Sequence, residues 1–120
     1  DSALHRYLLT HFRTPERYVI EKFEDHDVVI LGEFHRIRRD LELVQRLIPL
    51  LHEHGVYALG TEFARRVDQP LVDSLLSRPE WDERLARTIQ LRQFVGWGYR
   101  EYVDVMRAAW TLNRSLPPDA

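Results

Sequence analysis

The sequence predicts an α/β fold: the N-terminal βαβ part of a parallel-sheet domain, with additional helices before and after. Residues 28–31 form an unbroken apolar run rich in branched side chains, which is typical of a strand buried on both faces. Residues 56–59 form a second run of this kind. Between them, residues 40–54 have apolar side chains at helical spacing, so a right-handed crossover would make the two strands parallel.

The central helix joins the two predicted strands. Gly55 suits its C-terminal cap, and Pro49 removes one backbone hydrogen bond without interrupting the apolar stripe. The stripe consists of Leu41, Val44, Leu47, Ile48 and Leu51.

Helices are also predicted on both sides of this unit. Residues 2–12 have apolar side chains at helical spacing, and Thr14 followed by Pro15 is typical of an N-cap and a first helical residue. That second helix ends near Asp25. The later helical segments are residues 68–76, 77–94 and 99–113.

The number of strands bears on the domain boundary. Two parallel strands close a core poorly, and the amphipathic last helix would normally return the chain to a third strand. We expect residues 1–120 to be a single domain or, more in keeping with this pattern, an incomplete domain: the N-terminal fragment of a larger α/β domain. The apolar surface left uncovered would favour a homo-oligomer or contact with a missing C-terminal half.

Composition excludes several function classes. The 120 residues include 17 basic and 19 acidic side chains, and a net charge of −2 gives no support for a nucleic-acid surface. No apolar run approaches the length of a membrane span. The absence of cysteine excludes disulfides, thiolate metal sites and cysteine nucleophiles, and it fits a reducing compartment. We expect a cytoplasmic protein, although a signal peptide would be missing after processing.

Polar side chains follow both predicted strands. Glu33 and His35 come directly after Gly32, and residues two apart in an extended chain point to the same side. Glu62 follows the second strand. Because ligands bind at the carboxyl ends of strands in open α/β sheets, we expect these three side chains to converge there. Gly32 should permit a close backbone approach or an unusual dihedral.

An imidazole and two carboxylates form a ligand set that suits Mn, Fe, Co or Zn. Such a metal would lower the pKa of bound water and polarise a carbonyl, which predicts a hydrolytic site. Alternatively, Glu33 orients His35 as a general base without a metal. A third interpretation is structural, with the carboxylates capping turns or pairing with nearby arginines.

Arginines and aromatic residues extend this site in two ways. Arg36, Arg39 and Arg65 are candidates for binding an anionic substrate, although arginines beside the start of a helix are more often solvated or paired with carboxylates.

Four aromatic residues near the last helix are candidates for contact with a flat cofactor such as haem, and tyrosine is a known haem ligand. They are Trp97, Tyr99, Tyr102 and Trp110. An aromatic stripe at helical spacing more often belongs to a core.

The motif around the first strand resembles a known group of proteins. Gly32 and His35 match the Gly-x-x-His hallmark of the ChaN-like, Tiki and TraB group, which is distantly related to erythromycin esterases. Glu33 matches a glutamate common in ChaN-like and esterase-like members, and Glu62 matches a glutamate at the end of the next strand. The similarity covers roughly residues 25–66 and continues more weakly to residue 113.

This resemblance implies three activities. Tiki-like members are metal-dependent proteases, esterase-like members hydrolyse a lactone with the glutamate and histidine, and ChaN-like members include haem-binding lipoproteins. Members usually have a second half with further site residues, and the lipoprotein cysteine of some ChaN-like proteins is absent here.

From these observations we expect a metal-dependent hydrolase that cleaves an ester or peptide bond in a small-molecule or peptide substrate. Its catalytic and metal-binding residues would be Glu33, His35 and Glu62. The alternatives are a haem-binding or metal-binding module without catalysis, and a structural or interaction domain with a degenerate site.

Overall fold

The computed structural model describes residues 2–93 and 95–117, and six α-helices lie within these ranges. The helices are α1 (Ser2–His11), α2 (Pro15–Lys22), α3 (Arg38–Glu53), α4 (Gln69–Leu76), α5 (Glu83–Gln93) and α6 (Arg100–Ser115). Two short 3-10 turns, Arg66–Asp68 and Val95–Trp97, come before α4 and α6. The predicted helices are confirmed to within a few residues, except that α5 begins at Glu83 rather than at residue 77; residue 94 lies outside the described residues.

The predicted α/β fold is wrong. Within residues 2–93 and 95–117 no residue lies in a strand, and both apolar runs are irregular chain. Most of their side chains are exposed: Val28 is 71% exposed, Ile30 88% and Tyr57 77%. A helix satisfies its backbone hydrogen bonds internally, whereas a strand needs a neighbouring strand to accept and donate them. Branched residues fit a pleated surface but do not create one, so these runs have strand-like composition without forming a sheet.

The chain divides into two compact units, Asp1–Gly32 and Glu33–Ala120. The first contains α1 and α2. The hydroxyl of Thr14 accepts a hydrogen bond from the backbone N–H of Arg17 at 3.3 Å, and Pro15 begins α2. This is the predicted N-cap, since it satisfies one of the free N–H groups at a helix start.

The second unit contains the other four helices. Helix α3 packs against α6, and α4, α5 and α6 contact one another. The predicted stripe of α3 buries Leu41 and Leu47, and Gly55 caps the helix with a φ of 83°. A second buried cluster lies between α4, α5 and α6, formed by Leu75, Ala86, Ile89 and Val103. Burying these side chains supplies the main driving force for packing the helices together.

In the described part of the chain, no helix is long and apolar enough to cross a bilayer.

Candidate functional site

A tight turn before α3 presents His35. The backbone N–H of Ile37 donates to the carbonyl of Phe34 at 3.1 Å, and Arg36, the third residue of the turn, has a φ of 71°. A type II turn requires a positive φ at this position, where glycine is preferred. The carboxylate of Asp40 accepts a hydrogen bond from the backbone N–H of Phe34 at 3.4 Å, which ties the turn to α3.

The unusual dihedral therefore occurs at Arg36. Gly32 does not have a positive φ, and a Cβ added there would meet nothing within 4 Å. The expectation of a special backbone conformation at Gly32 is wrong. A non-glycine residue whose backbone is held in the left-handed region costs about 1–2 kcal/mol, so the turn is strained at Arg36.

Glu33 accepts two hydrogen bonds on one carboxylate oxygen. His35 Nδ1 lies 2.7 Å from Oε1 of Glu33, and the Tyr102 hydroxyl donates to the same oxygen at 2.6 Å. The side chain of Glu33 is 21% exposed and that of His35 43%. Since a carboxylate only accepts, the neutral imidazole holds its proton on Nδ1 and leaves the lone pair of Nε2 available. Among the described residues, Nε2 has no hydrogen-bond partner.

The Tyr102 hydroxyl stays protonated at physiological pH. Burial raises its pKa to about 12, and the hydrogen bond to Glu33 and the charge of that carboxylate act in the same direction. The charge of Glu62 also contributes to this raised pKa, whereas a backbone hydrogen bond with Arg36 opposes it. Tyr102 is therefore a neutral donor that holds the Glu33 carboxylate beside His35.

Two aromatic rings border the imidazole of His35. His35 meets Phe63 and Trp97 edge to face, with ring centroids 5.4 Å and 5.2 Å apart. Phe63 and Trp97 meet each other at 4.9 Å, and Trp97 lies parallel to Tyr102 at 6.3 Å. We call these residues, together with Glu33, the His35 cluster. It combines an imidazole, a carboxylate and three aromatic rings.

Comparison with known proteins identifies the family. A family model described as "Haem-binding uptake, Tiki superfamily, ChaN" matches residues 19–116. The chain belongs to this ChaN family. The match spans the whole His35 cluster, and it confirms the resemblance inferred from the motif at Gly32 and His35. No curated protein and no solved structure matches the chain.

The ChaN chain brings only part of the predicted metal site together. Glu33 and His35 are in contact, whereas Glu62 is exposed on the segment before the first 3-10 turn and affects Tyr102 through its charge. In the described residues, no three carboxylate, imidazole or thiol groups lie close enough to hold a metal ion. The prediction placed Glu62 on a strand beside the first one, and without a sheet nothing fixes it there. The transition metal remains unconfirmed.

The three candidate arginines lie in different surroundings. The Arg36 guanidinium lies over the Trp97 ring at 5.4 Å, so it belongs beside the His35 cluster. Arg39 is exposed in the first turn of α3. Arg65 instead lies 3.6 Å from the buried carboxylate of Asp68.

The structure also separates the aromatic residues that the sequence placed in one stripe. Trp97, Tyr99 and Tyr102 lie together, whereas Trp110 contacts Trp81 at 5.8 Å. Sequence reasoning missed Phe63 and the hydrogen bond between Tyr102 and Glu33. The signal for Phe63 was its position directly after Glu62 in the family-like segment; the hydrogen bond spans 69 residues and has no local signal.

Proposed function

We propose that this ChaN-family chain binds haem at the His35 cluster, as a binding module without catalysis. The observation that supports this most is the imidazole of His35, which is partly exposed, has its Nδ1 held by a carboxylate, and is bordered by aromatic rings. Histidine is a common axial ligand of haem iron, and a hydrogen bond from Nδ1 to a carboxylate orients the ring and fixes its tautomer. The family description supplies the ligand class.

His35 is a better candidate for the axial ligand than Tyr102. A tyrosine binds ferric iron as the phenolate, and a pKa of about 12 makes that form costly here. The Tyr102 hydroxyl is also engaged by Glu33 at 2.6 Å. We therefore assign Tyr102 the role of holding Glu33, which in turn fixes the tautomer of His35.

The residues around His35 suit the rest of a haem molecule. Phe63 and Trp97 offer apolar ring surface for the macrocycle, and Tyr99 extends that surface beside Trp97. The Arg36 guanidinium lies over the Trp97 ring, and Arg39, three residues later in the chain, is exposed. Both arginines are therefore candidates for pairing with the two haem propionates. Bound haem would supply a redox-active iron, whose potential depends on its axial ligand and on hydrogen bonds to that ligand.

Titration with ferric haem, followed at the Soret band, tests this proposal. His35→Ala should weaken haem binding by at least about tenfold, since even the loss of a group that only hydrogen-bonds a metal ligand costs that much. His52→Ala is the matched control, because this histidine of α3 contacts Tyr57 rather than the His35 cluster. Equal affinity of the wild type and His35→Ala would contradict the assignment, and no Soret shift in the wild type would contradict haem binding itself.

A hydrolase acting on an ester or peptide bond is the second candidate. The 2.7 Å contact between Glu33 and His35 is the arrangement by which a carboxylate orients a general base. Neither the family description nor the described residues support the metal-dependent form of this activity. Turnover of a nitrophenyl ester by the wild type, lost in Glu33→Gln and His35→Ala, would favour hydrolysis. Addition of Mn, Co or Zn would separate a metal-dependent reaction from a metal-free one.

A further inference from the structure

A buried carboxylate lies outside the His35 cluster. Asp68, at the end of the first 3-10 turn, is 1% exposed. Its Oδ1 accepts a hydrogen bond from Nε of Arg92 at 2.9 Å and lies 2.8 Å from Nη2 of the same guanidinium. Its Oδ2 lies 3.6 Å from Nε of Arg65 and has no hydrogen-bond partner among the described residues. Asp68 thus joins two arginines that come from different parts of the chain.

Backbone contacts strengthen this connection. The backbone N–H of Arg65 donates to Oε1 of Gln93 at 2.5 Å, and its guanidinium donates to the carbonyl of Arg92 at 3.0 Å. The backbone N–H of Asp68 donates to the carbonyl of Arg65 at 2.8 Å. We call Arg65, Asp68, Arg92 and Gln93 the Asp68 clamp. It fastens the segment before α4 to the last turn of α5.

The chain leads from the clamp to the His35 cluster in two directions. Phe63 lies two residues before Arg65, and Trp97 lies four residues after Gln93. These two rings meet edge to face at 4.9 Å, and each also contacts His35. The clamp therefore joins two chain segments that lie within a few residues of the aromatic border of the imidazole.

We propose that Asp68 is a positioning residue for the His35 cluster, acting through Arg65 and Arg92 on Phe63 and Trp97. A stabilising role alone explains a buried ion pair poorly, because apolar residues of similar volume often stabilise a fold as well or better. A charge network instead requires one arrangement of its donors. That arrangement would determine the positions of the Phe63 and Trp97 rings. The effect on haem rests on the proposed function, whereas the effect on the rings does not.

Nuclear magnetic resonance of the haem-free protein tests this directly. Ring currents of Phe63 and Trp97 displace the His35 ring-proton signals, and Phe63→Leu provides the reference for losing one ring. Asp68→Asn, which keeps the size but removes the charge, should move those signals toward the Phe63→Leu values. Asp73→Asn is the matched control, since this exposed aspartate of α4 bonds to Gln69 and lies outside the clamp.

A second variant keeps the test decisive if Asp68→Asn fails to fold. The Arg65 side chain is 50% exposed, so Arg65→Met removes its contacts to Asp68 and Arg92 at less risk to the core. His35 signals that stay at wild-type positions in a folded Arg65→Met protein would overturn the proposal. If the wild type binds haem, Asp68→Asn and Arg65→Met should each also weaken haem binding by about tenfold. If the wild type does not bind haem, the ring-proton shifts still decide the role of the clamp.

Discussion

Two groups of aromatic residues in the second unit differ in what their polar atoms do. In one, Trp81 and Trp110 meet at 5.8 Å; the indole N–H of Trp81 donates to Glu83 and that of Trp110 donates to the carbonyl of Arg78, each at 2.9 Å. The hydrogen bond from Trp81 is the main cause that lowers the pKa of Glu83. Each polar atom of this pair thus has a partner within the protein.

The His35 cluster has rings at similar distances but a different polar composition. Its carboxylate accepts from both His35 and Tyr102, and this arrangement leaves Nε2 of His35 as an available acceptor at a partly exposed position. The difference teaches that aromatic content alone does not distinguish a binding site from packing. What distinguishes the two groups is Nε2 of His35, an acceptor that the fold orients and that has no hydrogen-bond partner among the described residues.

The largest expected effect is a loss of stability in Trp81→Ala that leaves haem affinity unchanged. Trp81 packs against the buried cluster of α4, α5 and α6, so Trp81→Ala should lower the free energy of unfolding by about 3 kcal/mol. Its haem affinity under native conditions should stay within about twofold of the wild type. His35→Ala should show the opposite pattern, with a stability change within about 0.5 kcal/mol because the side chain is partly exposed. Urea unfolding measures the change in stability, and haem titration measures the change in affinity. A loss of haem affinity beyond about twofold in Trp81→Ala would contradict the separation of packing from binding.

A second, smaller effect concerns pH. The pKa of Tyr102 is raised from 10.0 to about 12 in the folded protein, so folding favours the protonated phenol. This contribution to stability is fully present below pH 10 and is lost as the pH rises through 12. Tyr102→Phe removes the titrating group, so its stability should fall less than that of the wild type over this interval. Ultraviolet titration of tyrosinate provides the check; a Tyr102 that ionises near pH 10 would contradict the tight contact with Glu33.

The smallest expected effect lies in the turn that presents His35. Arg36→Gly and Arg36→Val both remove the contact with Trp97, so their difference isolates the backbone conformation. Glycine adopts a φ of 71° without strain, whereas a β-branched residue does not. Arg36→Val should therefore be about 1–2 kcal/mol less stable than Arg36→Gly in thermal or urea unfolding. Equal stabilities would show that the turn relaxes to another conformation.

The elements that the sequence predicted well depend on local interactions. The stripe of α3 buries Leu41 and Leu47, and Thr14 caps α2, because helix periodicity and caps are set within a few residues. Strand pairing depends on distant partners, which the composition of residues 28–31 and 56–59 does not specify. This is why the helices are confirmed and the sheet is wrong.

The same division applies to the site. Glu33 and His35 lie in contact, as their spacing indicated, but in a turn rather than at the end of a strand. Tyr102 reaches Glu33 because α6 packs against α3, and Phe63 reaches His35 through a segment with no regular structure. Contacts of this kind arise from the packing of distant segments, so a single sequence does not predict them.

The indole N–H signals of the three tryptophans offer the most direct test of the proposal that haem binds at the His35 cluster. Ferric haem is paramagnetic and broadens the signals of nearby protons much more than those of distant ones. Trp97 borders His35, whereas Trp81 and Trp110 form the other aromatic group. Adding haem to the uniformly ¹⁵N-labelled protein should broaden the Trp97 signal first and leave those of Trp81 and Trp110 visible. Broadening of Trp81 and Trp110 with a persistent Trp97 signal would contradict the assignment of the His35 cluster as the haem site.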